Sequence, residues 1–142
     1  MNKKKPQKSA AQSLQLLLVE DEPAQAQLVQ DILVEKSNVD FKLSTVDTLK
    51  LAIAALEKKE KKPFDLVLLD LNLPDSKGNE TLKALRDIFP DVPIVVLTGV
   101  DDTTGEHSAL EMGAQDYLIK GHYTGDDLVR SIYHAVQRQQ KV

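Results

Sequence analysis

The segment FDLVLLD, residues 64–70, sets four consecutive Leu and Val residues between two acids, and its reading decides the fold. An aliphatic run this short, with no polar alternation, is the pattern of a strand covered on both faces. Leu14–Val19 and residues 93–97 are nearly as continuous in Leu, Val and Ile, whereas Phe41–Val46 alternates through Phe41, Leu43 and Thr45, and Asp116–Ile119 is short. The first three are therefore expected inside a sheet and the last two toward its edges.

Each run is followed by a stretch with helical punctuation. Pro23 suits a first helical position, and Leu28, Val29, Ile32 and Leu33 supply an apolar face behind it. Asp47 is read as the cap of a second helix through Leu49, Ile53 and Leu56, with Lys58, Lys59, Lys61 and Lys62 as its solvated, dipole-complementing end and Pro63 as its stop. A third helix is expected over residues 79–89, entered through Gly78, and a fourth over residues 102–112 before Gly113. Thr124 and Asp127 have the spacing of a capping box for a fifth helix, whose stripe is Leu128, Ile132 and Ala135. Five strand–helix units in series predict a doubly wound α/β domain with a parallel sheet.

Composition narrows the function. With 142 residues the chain holds one domain and one core, and its 42% hydrophobic and 28% charged residues are those of a globular protein. The net charge is −4, which disfavours non-specific binding to polyanions, and 4% aromatics without Trp offer no base-stacking platform. No cysteine means no disulfide, thiolate metal site or thiol nucleophile. Residues 1–13 carry Lys3, Lys4, Lys5 and Lys8 and no large aliphatic side chain beyond Met1, so they are expected to form a disordered basic tail ahead of a domain over 14–142. Gln15 and the acids 20–22 spoil a signal-peptide reading of the first strand, and no run of ~18 apolar residues spans a membrane. The expected address is cytoplasmic.

Ligands of open α/β sheets bind beyond the carboxyl ends of the strands. The residues standing there are Glu20 and Asp21, Asp70, Thr98 and Lys120. Three acids crowded together raise one another's pKa unless a cation joins them, and oxygen-only donors favour Mg²⁺ over zinc. An aspartate, ionised at neutral pH with a reference pKa of ~3.9, can attack phosphorus without a general base. Asp65 precedes its strand and faces the wrong end, and Asp75 lies farther along the loop and looks less anchored. Asp70 is thus chosen as nucleophile, with Thr98 and Lys120 beside it in an aspartyl-phosphate site.

Taken together, VEDEP, LLDLNLPDSKG, VVLTG and GAQDYLIKG resemble the receiver domain of two-component response regulators of the chemotaxis-receiver type, from residue 14 to about 138. The resemblance implies a flavodoxin-like (βα)5 fold with strand order 2-1-3-4-5. It implies a histidine kinase or histidine phosphotransfer protein as phosphodonor and a downstream protein partner, while the composition and the lack of a long apolar run lead to no expected nucleic-acid or membrane partner. Asp70 matches the modified phosphoacceptor, Glu20 and Asp21 the acidic pair, Thr98 the conserved hydroxyl and Lys120 the conserved lysine. Asp21, Asp70 and the backbone carbonyl of Asn72 would ligate Mg²⁺, with Glu20 acting through water. Tyr117 matches the aromatic switch residue, whose rotamer would follow Thr98. Such a protein is a phosphoacceptor that assists its own phosphorylation and dephosphorylation, and is not a turnover enzyme.

Departures from the family's pattern carry expectations of their own. Gly121 replaces the usual proline after the lysine, and since a cis bond there would cost about 2.5–4 kcal/mol, the expectation is a trans bond or a loop that places Lys120 less firmly. Val100 cannot orient water, and Gly99 leaves room for a phosphoryl group. His107, His122 and His134 share no metal spacing and are expected on the surface. A flavin carrier would want hydroxyls and glycines where residues 20–22 are acidic, and an aspartyl-phosphate phosphatase would want Asp where Asn72 stands. Thr103, Thr104 and Gly105 make the fourth helix's first turn intrinsically weak. No DNA-binding module is expected after the fifth helix; the chain reads as a stand-alone or relay receiver, or alternatively as the receiver of a larger sensor or output protein.

Overall fold

The computed structural model describes residues 13–36, 40–58, 64–99 and 103–140, with backbone alone for 103–105 and 139–140. Strands and helices alternate throughout: β1 (Leu14–Val19), α1 (Pro23–Lys36), β2 (Phe41–Val46), α2 (Leu49–Leu56), β3 (Leu66–Leu69), α3 (Asn79–Ile88), β4 (Ile94–Thr98), α4 (Thr103–Glu111), β5 (Asp116–Ile119) and α5 (Gly125–Gln140). Every pairing is parallel and the sheet order is β2-β1-β3-β4-β5, the doubly wound arrangement expected. The order reverses between β1 and β3, so their carboxyl ends flank the crevice where such sheets bind ligands.

The alternation of side chains along each strand divides the core into two layers. Leu17, Val19, Val67, Leu69, Ile94, Val96 and Tyr117 face one way, against Ala52, Leu82, Leu85 and Ala109 from α2, α3 and α4. Leu16, Leu18, Leu66, Leu68, Val95 and Leu97 face the other, against Val29 and Leu33 of α1 and Leu128, Ile132 and Ala135 of α5. Full burial of each such leucine contributes about 1.5–3 kcal/mol, and β3 and β4 are buried along their whole lengths. β2, at one edge, is half-buried at Phe41 and Leu43 and exposed at Thr45.

Two details correct the sequence reading. Thr48, not Asp47, caps α2: it has extended backbone (φ −139°, ψ 159°), and its Oγ1 accepts from the Leu51 amide at 3.1 Å. Both residues are of capping type, and the point where the chain leaves β2 decides between them. In α1, Val29 and Leu33 form the buried face, whereas Leu28 is 45% exposed, because the helix is rotated to lay the Val29–Leu33 row on the sheet. Other features hold. Pro23 opens α1, and the Thr124–Asp127 box is reciprocal, with the Asp127 amide donating to Thr124 Oγ1 at 3.0 Å and the Thr124 amide to Asp127 Oδ2 at 2.9 Å. Gly78 enters α3 at φ 66°, a region closed to side-chain-bearing residues. The tail over 1–12, Lys59, Lys61, Lys62, Pro63, Val100, Asp102 and the side chains of Thr103 and Thr104 lie outside the described residues.

Candidate functional site

Parallel register brings the acids together. Val19 pairs with Leu69, so the residues that follow them, Glu20 and Asp70, leave adjacent strands side by side. Glu20 is anchored by its amide on the Val46 carbonyl at 2.9 Å, and Asp70 by its amide on the Val19 carbonyl at 3.0 Å. Both residues are buried at 4% exposure, although each follows directly on the end of a strand. Asp21, next along the chain, is exposed, yet carboxylate oxygens of Glu20, Asp21 and Asp70 lie within 4.8 Å of one another.

Lys120 reaches this cluster from the far side. β5 pairs with β4 through Thr98 and Ile119, and the Lys120 amide donates to the Thr98 carbonyl at 2.8 Å, which fixes the start of its side chain. Its Nζ lies 2.9 Å from Glu20 Oε1, 3.0 Å from Asp70 Oδ2 and 3.6 Å from Glu22 Oε1. The Lys120–Gly121 bond is trans, and Gly121 takes φ 84°, a backbone conformation that favours glycine. With glycine in place of the proline, Lys120 still reaches Glu20 and Asp70. Gly99 lies open beside it: a Cβ there would stand 4.0 Å from Lys120 Cδ.

Remaining members of the site take their places around this pair. The Asn72 amide donates to Asp70 Oδ1 at 3.1 Å and the Glu22 amide to Glu20 Oε2 at 3.1 Å, so each buried carboxylate has a backbone donor as well as the ammonium. Thr98 is fully buried at the end of β4, on the strand face shared with Val96. Tyr117 is buried on that same side of the sheet, in the apolar cluster that includes Ala109 of α4. His107, His122 and His134 are exposed, as expected.

Electrostatically the site is short of positive charge. Burial pushes the Glu20 carboxyl above its ordinary value, against the pull of hydrogen bonds from Lys120 and the Glu22 amide, and the Asp70 charge pushes the same way. Burial alone would lower the Lys120 ammonium, but its hydrogen bonds to Glu20 and Asp70 outweigh that and hold it above its usual value. Tyr123 is pushed up by burial and senses the charges of Lys120 and Glu20. Four carboxylates against one ammonium leave an excess that a divalent cation would relieve, and oxygen donors alone suit a hard ion. Glu20, Asp21 and Asp70 therefore fit a metal.

Sequence reasoning missed Tyr123 beside this cluster and the anchoring of Asp75 in the adjoining loop. Tyr123 carried no signal beyond an aromatic in a loop. Asp75, read as poorly anchored, is instead held by two backbone amides of α2, Leu49 at 2.9 Å and Lys50 at 3.0 Å; the partners lie 26 and 25 residues away, beyond any local pattern. Asp65 does lie at the opposite end of the sheet, where its Oδ2 accepts from the Gln15 amide at 2.8 Å.

The sequence profile of the family "Response regulator receiver domain" matches residues 16–133, and the chain belongs to that family. It is 34% identical over 120 residues to the transcriptional regulatory protein DltR of Streptococcus agalactiae serotype III (strain NEM316), an overlap of 84% of this chain and 50% of that protein. The chain spans about half the length of the curated relatives it matches. Among solved structures it resembles a CheY-like response regulator receiver domain from Methanospirillum hungatei JF-1, with TM-score 0.75 and 25% identity over 90% of this chain and 97% of that one. It also resembles the Mn²⁺-bound form of response regulator Rcp1, with TM-score 0.69 and 27% identity over 91% and 96% of the two chains.

Proposed function

We propose that the chain is a phosphorylation-switched receiver that takes a phosphoryl group on Asp70 from a phosphohistidine of a partner histidine kinase or phosphotransfer protein, with Mg²⁺ as cofactor. The observation that carries this reading is the placement of the Lys120 ammonium 3.0 Å from Asp70 Oδ2 at the mouth of a three-carboxylate cluster. A carboxylate oxygen of Asp70 bonds to phosphorus as the phosphorus–nitrogen bond of the donor breaks. The electron pair leaves with the imidazole, which takes up a proton. Hydrolysis of the acyl phosphate returns aspartate and inorganic phosphate.

Phosphoryl transfer asks mainly for positioning and charge neutralisation. β3 holds Asp70 rigidly, the Asn72 amide and Lys120 orient its two oxygens, and Lys120 is placed to meet a phosphoryl oxygen as well. Asp21, Asp70 and the Asn72 carbonyl would hold Mg²⁺, with Glu20 through water; the bound ion supplies neutralisation of the phosphoryl oxygens. That the related Rcp1 is described in a Mn²⁺-bound form supports a divalent cation here. The protein acts as a phosphoacceptor that assists its own gain and loss of phosphate, in the cytoplasm, where its kinase and its protein partner meet it. Among the described residues no helix is long and apolar enough to cross a membrane.

The switch runs from modified Asp70 through Thr98, drawn toward the phosphoryl oxygens, to Tyr117 and α4. It biases an existing equilibrium. Because the matched relatives are about twice the span of this match, a receiver working within a larger regulator is the second reading. Incubation with an acyl phosphate and Mg²⁺, followed by intact mass, tests the proposal. One added phosphate, absent in Asp70→Asn and in chelator, is expected; an unmodified wild-type chain, or equal labelling of Asp70→Asn, contradicts it.

A further inference from the structure

Asp75 lies five residues beyond Asp70, in the loop that also carries Asn72, yet its carboxylate is committed to a different element. Oδ1 accepts from the Leu49 amide at 2.9 Å and Oδ2 from the Lys50 amide at 3.0 Å, the first two residues of α2. The amide of the third, Leu51, is accepted by Thr48 Oγ1 at 3.1 Å. A helix leaves its first amides without intrahelical acceptors; here the loop acid satisfies two and the local threonine one. The β3–α3 loop is also closed from its other side. Leu73 and Ser76 exchange backbone hydrogen bonds at 2.8 and 3.3 Å, and the Thr81 hydroxyl donates to the Leu71 carbonyl at 3.0 Å while lying 2.7 Å from Ser76 Oγ. Asn72 thus sits in a loop pinned at residues 71 and 73 by its own turn and α3, and at residue 75 by α2.

We propose that Asp75 is a positioning residue for the cation site: by tying the β3–α3 loop to the start of α2, it holds the Asn72 backbone where its carbonyl serves Mg²⁺. The inference rests on the cation reading above. Groups that orient a ligating atom from outside are worth roughly 10–100-fold in metal affinity, because the ligand need not be ordered when the ion arrives. Asp75 makes no direct claim on the ion. Its negative charge and its tether are separable by substitution.

The test is a Mg²⁺ titration of the full chain, followed by amide resonances, in wild type, Asp75→Ala, Asp75→Asn and Thr48→Ala. In wild type the amides of Asp21, Asp70 and Asn72 are expected to shift; silence at all three overturns the cation reading and this inference together. With those shifts present, Asp75→Ala is expected to raise the Mg²⁺ Kd roughly 10-fold. Asp75→Asn removes the charge but keeps one acceptor, and is expected to raise it less. Thr48→Ala weakens α2 from its own side and leaves the loop tied, so a lower melting temperature with unchanged Kd is expected. An unchanged Kd in Asp75→Ala, an equal rise in both Asp75 variants, or the same rise in Thr48→Ala overturns the role of Asp75 while the cation reading stands.

Discussion

Lys120 Nζ bridges Glu20 Oε1 at 2.9 Å and Asp70 Oδ2 at 3.0 Å, joining the ends of β1, β3 and β5 through one ammonium. The carboxylates are buried and the lysine side chain is 13% exposed, so the contact is shielded from solvent. One positive charge shared between two buried acids makes the crowded strand ends tolerable and leaves a cation beside Asp70, the proposed phosphoacceptor.

Lys120→Met separates those roles. Removing one partner of a buried ion pair costs about 3–5 kcal/mol, and the variant is expected near the lower figure in chelator, read from its denaturant midpoint. Loss of a preorganised charge from phosphoryl transfer is expected to slow acyl-phosphate labelling by ~10²-fold even with Mg²⁺ saturating. Labelling at the wild-type rate would remove Lys120 from the chemistry.

The raised Glu20 carboxyl gives the metal-free protein a defined pH dependence. A native-state pKa above the unfolded value, ~4.3 for Glu, means the folded chain binds the proton more tightly. The contribution of Glu20 to stability is therefore greatest below the unfolded value and declines as pH rises through the native one. Wild type in chelator should lose stability relative to Glu20→Gln across that window. Mg²⁺ at a hundredfold excess over Kd should add about 2.7 kcal/mol at neutral pH. Matching pH profiles in the two proteins would contradict the assignment.

Arg86 predicts stability without function. Its Nη1 donates to the carbonyls of Phe89, Pro90 and Val92 at 3.1, 3.0 and 2.7 Å, and Nη2 to that of Gly113 at 2.8 Å, clamping the turns that enter β4 and β5. These turns lie at the end of the sheet opposite Asp70. Arg86→Ala should cost about 2 kcal/mol in urea unfolding, as hydrogen bonds to a charged group are lost. Phosphate uptake at a temperature where the variant is folded should match wild type, and a defect in uptake would contradict this separation.

The switch route predicts where exchange protection changes. Thr98 and Tyr117 lie on one face of the sheet with Ala109 of α4 between that face and solvent. Amide exchange with and without a beryllofluoride phosphate mimic should differ over residues 98–117 and agree along α1. Identical profiles over 98–117 would rule out the route through Thr98 and Tyr117.

Much of this was legible because it depends on local pattern. The unbroken run over residues 66–69 marks a doubly covered strand, and the chain must leave such a strand at its carboxyl end, which is where Asp70 stands. Glu20, Thr98 and Lys120 follow from the same rule at their own strands. What stayed hidden depends on which segments meet. Choosing Thr48 over Asp47 requires the exit angle of β2, and choosing Val29 over Leu28 requires the rotation of α1 on the sheet. The Asp75 tether and the Arg86 bond to the Gly113 carbonyl join residues 25 or more positions apart through backbone groups, which carry no side-chain signature.

The central claim, that Asp70 is the phosphoacceptor, is tested most directly by trapping the acyl phosphate. The chain is labelled with an acyl phosphate and Mg²⁺, reduced with borohydride, and digested for peptide mass mapping. The account predicts reduction at Asp70 alone, abolished by chelator. Reduction at another acid such as Asp21 or Asp75, or none in a folded, Mg²⁺-bound chain, would contradict it.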